Sequence, residues 1–170
     1  MAFLLDTNTL IQAKNDYYAF GLCPGFWDWL TAAHEAGTVH SIEPVLTEIR
    51  EGDDDLTSWA NARPSSFFLP MDGPAVAQLP RVVAWVQAAD FREEAKRDFL
   101  AKADPQLIAY ALAHGSILAT HEVHIEGERR KVKIPTVCRA LGVPCVRTFQ
   151  MLSIEGVRFV LEANHQVPTR

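Results

Sequence analysis

The chain has 170 residues, 48% of them apolar, enough for one full-sized core and too few for two comfortable ones. A formal charge of -5 excludes a globally basic nucleic-acid coat but leaves room for a local positive patch or a bound cation. Charge, Gly and Pro break every apolar stretch before it could span a bilayer, and the opening MAFLLD lacks the basic front and length of a secretory signal. The expectation is a soluble cytoplasmic protein with no membrane partner. Cys23, Cys138 and Cys145 form neither an even disulfide framework nor a closely spaced ligand pair, and read as reduced thiols.

Residues 2–6 are short, unbroken and apolar, which predicts a buried strand. CPGFWDWLTAAHEAG sets aromatics and alanines at helical spacing between Pro24 and Gly37, with Phe26, Trp27 and Trp29 as a packing face or, alternatively, an RNA-stacking platform. TVHSI is short enough for a second core strand. EPVLTEIREG then reads as a helix in which Pro44 occupies the first turn, Val45, Leu46 and Ile49 point inward, and Glu48 sits beside that apolar face. GDDDLTSWANA predicts a polar turn and a short helix, and SSFFLPMDGP a short strand and a turn.

From Ala75 to Ala103 the periodicity is helical, with Pro80 and Asp90 as expected breaks, and the segment reads as lid or capping helices. In ADPQLIAYALAHG, Asp104 and Pro105 make an N-cap and first-turn signature, Leu107, Ile108, Ala111 and Leu112 an apolar stripe, and Gly115 an exit. SILAT is the next core strand, TVCRALGVPCV a short helix and an edge strand, and the stretch from Thr148 begins as a helix. Strands alternating with helices point to a mostly parallel α/β sandwich, one domain over residues 1–170.

A carboxylate closing an apolar strand is expensive unless something compensates it, so Asp6 must be a turn former, a nucleophile or a metal ligand. Ligands of parallel sheets collect beyond the carboxyl ends of the strands. There the predicted elements bring together Asp6 after the first strand, Glu48 after the second, Asp104 at a helix start, and Glu122 just after SILAT. Close carboxylates repel and raise one another's pKa unless a cation neutralises them, and an oxygen-rich ligand set favours Mg²⁺ or Mn²⁺ over zinc.

FLLDTNTLI, EIREG, ADPQLIAYALAHG and ILATHE, in that order, resemble the acidic blocks of PIN-like domains, in particular the VapC-like toxin branch and its related bacterial family. The similarity covers about residues 2–150. It implies a three-layer α/β/α fold around a mainly parallel sheet, Mg²⁺ or Mn²⁺ as cofactor, and endoribonuclease activity. Asp6, Glu48 and Asp104 would be the core metal-binding catalytic acids. Glu122 would be a further one, in a block reading THE where Thr-Asn-Asp or Ser-Asp-Asp is commoner. Thr7, Asn8 and Thr120 are candidate donors to those carboxylates, or else turn formers. The resemblance also raises two protein partners, an antitoxin and a second copy of the chain. Aromatic and aliphatic residues of the middle helices offer a surface for the latter.

GERRKVK supplies Arg129, Arg130, Lys131 and Lys133, either a solvated charged loop or an RNA-backbone contact, with Lys131 alternatively bracing an acid. His121 and His124 are too isolated for a zinc site but could assist proton transfer. Two rivals remain. A haloacid-dehalogenase-type phosphatase expects a second Asp two positions after the first, where this chain has Asn8. A non-catalytic PIN-like module would bind RNA or protein without turnover.

Overall fold

The computed structural model describes residues 2–160. Its strands are β1 (Phe3–Leu5), β2 (Val39–Ile42), β3 (Phe68–Leu69), β4 (Ile117–Ala119) and β5 (Cys145–Val146). They form one all-parallel sheet in the order β3-β2-β1-β4-β5, with Leu5 opposite Ala119 and Phe3 opposite both Val39 and Ile117. Phe3, Leu4 and Leu5 are all buried, because helices cover both faces of the sheet. That is why the sequence shows an unbroken apolar run there and no alternation.

The helices are α1 (Thr7–Gln12), α2 (Pro24–Glu35), α3 (Glu43–Arg50), α4 (Asp55–Asn61), α5 (Gly73–Ala88), α6 (Glu93–Leu100), α7 (Asp104–His114), α8 (Ile134–Leu141) and α9 (Thr148–Ile154). From β1 the chain steps one way along the sheet to β2 and β3, then returns to the other side of β1 for β4 and β5. Right-handed crossovers travelling in opposite directions must lie on opposite faces. Accordingly α3 packs on α1 and α4, whereas α5, α6, α7 and α8 pack on one another, which completes a three-layer α/β/α sandwich.

Several expectations change. Asp6 does not simply end a strand: it is the N-cap of α1, a helix that hydrophobicity alone hides because TNTLI continues the apolar run. α1 leads directly into a π-helical turn, Ala13–Tyr17, closed by Tyr18 N–H donating to Ala13 O at 2.7 Å. Pro80 does not break α5, since it lies on the exposed side where the carbonyl it leaves free can meet water. Nor is α5 a lid, because it lies along α7 as part of the layer; only α6 reaches the rim of the site described below. Gly115 and Gly142 end α7 and α8 with φ of 64° and 75°, a left-handed conformation that a β-carbon would strain.

Phe26 and Trp27 are buried and Trp29 packs half-buried on the core. The three cysteines are free thiols. Among the described residues no helix is long and apolar enough to cross a membrane.

Candidate active site

The reversal of strand order falls between β1 and β4, and such a switch point opens a crevice at the carboxyl ends of the two strands. The residues that leave those ends are Asp6 from β1 and Thr120, His121 and Glu122 from β4. Adjacent parallel strands thus bring together positions more than a hundred residues apart. Asp6 N–H donates to Ala119 O at 3.1 Å, and Thr9 Oγ1 to the same carbonyl at 3.0 Å, which clamps the start of α1 to the end of β4.

Asp6 is 1% exposed. Thr120 Oγ1 donates to its Oδ2 at 2.7 Å and in turn accepts Glu122 N–H at 3.1 Å. Asn8 N–H lies near enough to favour the ionised form, though not aligned as a helix-cap bond. These donors are overridden. Burial first, then the charges of Glu122 and Glu48, push the Asp6 carboxyl up from 3.8 to about 7.

Asp104 is buried in the first turn of α7, but Ala103 is the N-cap and Asp104 makes no capping bond, contrary to the sequence signature. Among the described residues no hydrogen bond supports its carboxylate. Burial, followed by repulsion from Asp6, Glu122 and Glu48, pushes it up to about 8, and Lys102 offsets the least of this. The capping role therefore gives no account of why an acid stands at this position.

The two glutamates are better held, each by the free N–H groups of a helix start. Glu48 on α3 accepts Ala103 N–H through Oε1 at 2.8 Å and the Thr7 hydroxyl through Oε2. Glu122 accepts Ile134 N–H, the first of α8, at 2.8 Å. Asp6 and Asp104 are thus each within electrostatic reach of both glutamates, and Asp6 of Asp104. Of the three expected supporting donors, Thr7 and Thr120 bond to Glu48 and Asp6. Asn8 instead lies half-buried on the cleft wall, with no side-chain bond to an acid among the described residues.

Two of the acids, Asp104 and Glu122, line a cleft of about 490 Å³ together with Asn8, Arg130, Lys131 and Lys133; Asp6 and Glu48 are not part of its lining. Arg129 departs from the expectation. It pairs with Asp90 on the α5–α6 turn, and its carbonyl accepts Arg92 N–H at 2.9 Å, so the chain turns it away from the acids. Lys131 makes no ion pair with any of the four acids among the described residues. His124 bonds Thr136 and Glu126 at 2.9 and 3.2 Å, outside the cleft. His121 does line the cleft, and its Nε2 has no partner among the described residues. Burial and the nearby Arg147 lower its pKa, so the ring is neutral at pH 7.

Sequence reading missed Lys102 and Asp98 on the cleft wall, and the backbone donors of Ala103 and Ile134. A cation two positions before Asp104 was a visible signal for Lys102; backbone donors leave none, since any residue but Pro supplies them.

Fold and site together define an α/β/α protein whose parallel sheet carries, at its switch point, two buried aspartates with two half-buried glutamates near them, beside a cleft that also holds basic residues. The profile of DUF4411, a domain of unknown function, matches residues 3–159, and the chain belongs to that family. No curated protein matches the chain.

Proposed function

We propose that this protein is a divalent-cation-dependent endoribonuclease of PIN-like type. The observation that carries the reading is the pair Asp6 and Asp104, both buried at the switch point near Glu48 and Glu122, whose carboxyls burial and mutual repulsion push up to about 7 and 8 despite the Thr120 bond and the nearby Lys102. Two buried, mutually repelling carboxylates are a cost to folding unless a cation compensates them.

Mg²⁺ or Mn²⁺ fits the donor set, which is all oxygen. Among the described residues no group of three or more His, Cys, Asp and Glu side chains is arranged as a ready cage. Mg²⁺ does not need one, since it commonly keeps several waters and binds through one or two carboxylates plus substrate phosphate. Asp6 and Asp104 would hold it, with Glu48 and Glu122 beside them. Bound there, the cation would supply positive charge for the phosphoryl oxygens and a more acidic water.

The chain's own groups do the rest. Thr120 and Thr7 fix the orientation of Asp6 and Glu48, so that neither carboxylate must reorganise during reaction. The α8 N-terminus holds Glu122 where a proton from an attacking water could be accepted. Arg130, Lys131 and Lys133 line the same cleft, where they would contact a phosphate backbone. Asn8 at the place of a second Asp disfavours a phosphatase, whose leaving group needs that acid. The resemblance to VapC-like toxins extends the proposal to a toxin role with an antitoxin partner.

The test compares wild type with Asp6→Asn and Asp104→Asn on a panel of structured and single-stranded RNAs, with Mg²⁺, Mn²⁺ or chelator. Internal cleavage should require cation and fall at least a hundredfold in both variants while their circular dichroism stays native. Cleavage by D6N at the wild-type rate, or in chelator, refutes the mechanism. No cleavage of any RNA by wild type shifts the reading to a binding-only module.

A further inference from the structure

Immediately outside the acid cluster, three rings from distant parts of the chain meet at the surface. Tyr17, in the π-helical turn after α1, stacks on His121 with centroids 5.2 Å apart and planes 18° apart. Phe149 of α9 stands nearly perpendicular to both, 5.2 Å from Tyr17 and 5.9 Å from His121. A core would account for such a cluster, but Tyr17 is 47% exposed and Phe149 38%. The buried aromatic packing lies one layer further in, where Tyr18 stacks on Phe26 at 4.3 Å. Burial in the core therefore does not explain why the outer pair is aromatic.

Its position is tied to the cleft. His121 lies between Thr120, which holds Asp6, and Glu122, and it lines the cleft itself. Tyr17 hangs from the helix that Asp6 begins, and the wide π turn sets the direction in which it leaves that helix. Arg147 and Asp16 are the charged groups beside His121, while Arg130, Lys131 and Lys133 line the cleft into which His121 faces. An open aromatic surface joined through His121 to a cleft that carries Lys102, Arg130, Lys131 and Lys133 beside its acids is a combination that can bind single-stranded nucleic acid, bases on rings and backbone on charge.

We infer that Tyr17, backed by His121 and flanked by Phe149, is a stacking platform for an unpaired base next to the phosphate held in the acidic cleft. The inference rests on the nuclease reading for the identity of that phosphate, and it narrows the substrate to RNA that is single-stranded at the cut. A base within a duplex is already stacked on both faces and offers none to Tyr17.

The experiment uses the full chain carrying Asp6→Asn, with and without Mg²⁺, and a short oligoribonucleotide containing 2-aminopurine, whose fluorescence is quenched by stacking. The same sequence closed into a hairpin stem is the comparison. The single strand should bind more tightly than the stem and be quenched at one register. Adding Tyr17→Ala should weaken single-strand binding about 5- to 100-fold and abolish the quench, Phe149→Ala should do so less, and Tyr17→Trp should restore both. In the cleaving protein, Tyr17→Ala should raise KM on single strands.

Binding by Y17A and F149A within twofold of the parent, or equal losses on strand and stem, overturns the platform. So does a change of sedimentation from dimer to monomer in Y17A, which would make the patch a contact between copies. If platform variants lose quenching and affinity while wild type cleaves nothing with Mg²⁺ or Mn²⁺, the platform stands and the nuclease reading falls.

Discussion

Asp6→Asn should stabilise the cation-free protein at pH 8 and do so far less at pH 5. In the unfolded chain Asp6 is ionised above its ordinary 3.8, whereas in the fold it holds its proton to about pH 7. The folded state thus binds the extra proton between those values, and stability falls as pH rises through that window. From pH 5 to pH 7 the loss is about 1.4 kcal/mol per pH step, roughly 3 kcal/mol in all. Because the carboxyl is 1% exposed, water screens little of this. Asn is neutral at both pH values and escapes the loss, and relief of Asp104 acts in the same direction. Any constant cost of the substitution, such as an imperfect bond from Thr120, cancels in the comparison between pH values. For a chain of this length roughly 3 kcal/mol corresponds to about 6–12 °C in Tm. Thermal unfolding by circular dichroism in chelator, at pH 5 and pH 8, reads the difference between D6N and wild type. Saturating Mn²⁺ at pH 8 should raise the wild-type Tm and leave D6N nearly unmoved. A D6N effect equal at both pH values, or more stabilising at pH 5, would refute the account of a charge strained by burial.

Mn²⁺ affinity should rise with pH between about 6 and 9 and level off above, with protons released on binding, because Asp6 and Asp104 must ionise at about 7 and 8 to accept it; calorimetry in buffers of different ionisation enthalpy counts those protons. Thr7→Val removes the hydroxyl that holds Glu48 but leaves the Ala103 N–H, so cleavage should fall about 10- to 100-fold with little change in Tm. Arg130→Ala, Lys131→Ala and Lys133→Ala should each reduce the slope of log affinity for RNA against log salt by about 1, read by fluorescence anisotropy. Arg129→Ala should leave that slope unchanged, since its guanidinium is paired with Asp90 away from the cleft.

Much of the architecture was legible in the sequence because it depends on local chemistry. An unbroken apolar run gave β1, short segments between helical ones gave β2 and β4, and Pro44, Gly115 and the stripe through Leu107 and Ile108 placed α3 and α7. Strands alternating with helices implied a parallel sheet, and a parallel sheet implied where its acids would gather. The errors fell where local rules compete with tertiary context. Pro80 reads as a helix break, yet α5 passes through it because solvent can satisfy the carbonyl it frees. Asp104 followed by Pro105 reads as a cap, yet Ala103 takes that position and leaves the carboxylate unsupported.

Which acids are present, and that Asp6, Asp104 and Glu122 stand at or just beyond element ends with Glu48 inside a helix, is written in the residue order. That Asp6 lies beside Thr120 follows from the register of β1 on β4, and the aromatic rim from a π turn that aims Tyr17 at His121. Neither pattern repeats along the chain, so periodicity carries no trace of it. The raised proton affinities of Asp6 and Asp104 likewise exist only once burial has removed water and the fold has brought four negative charges together. Desolvation and mutual repulsion are properties of a place in three dimensions, and residues so far apart in sequence acquire them only when the sheet closes between β1 and β4.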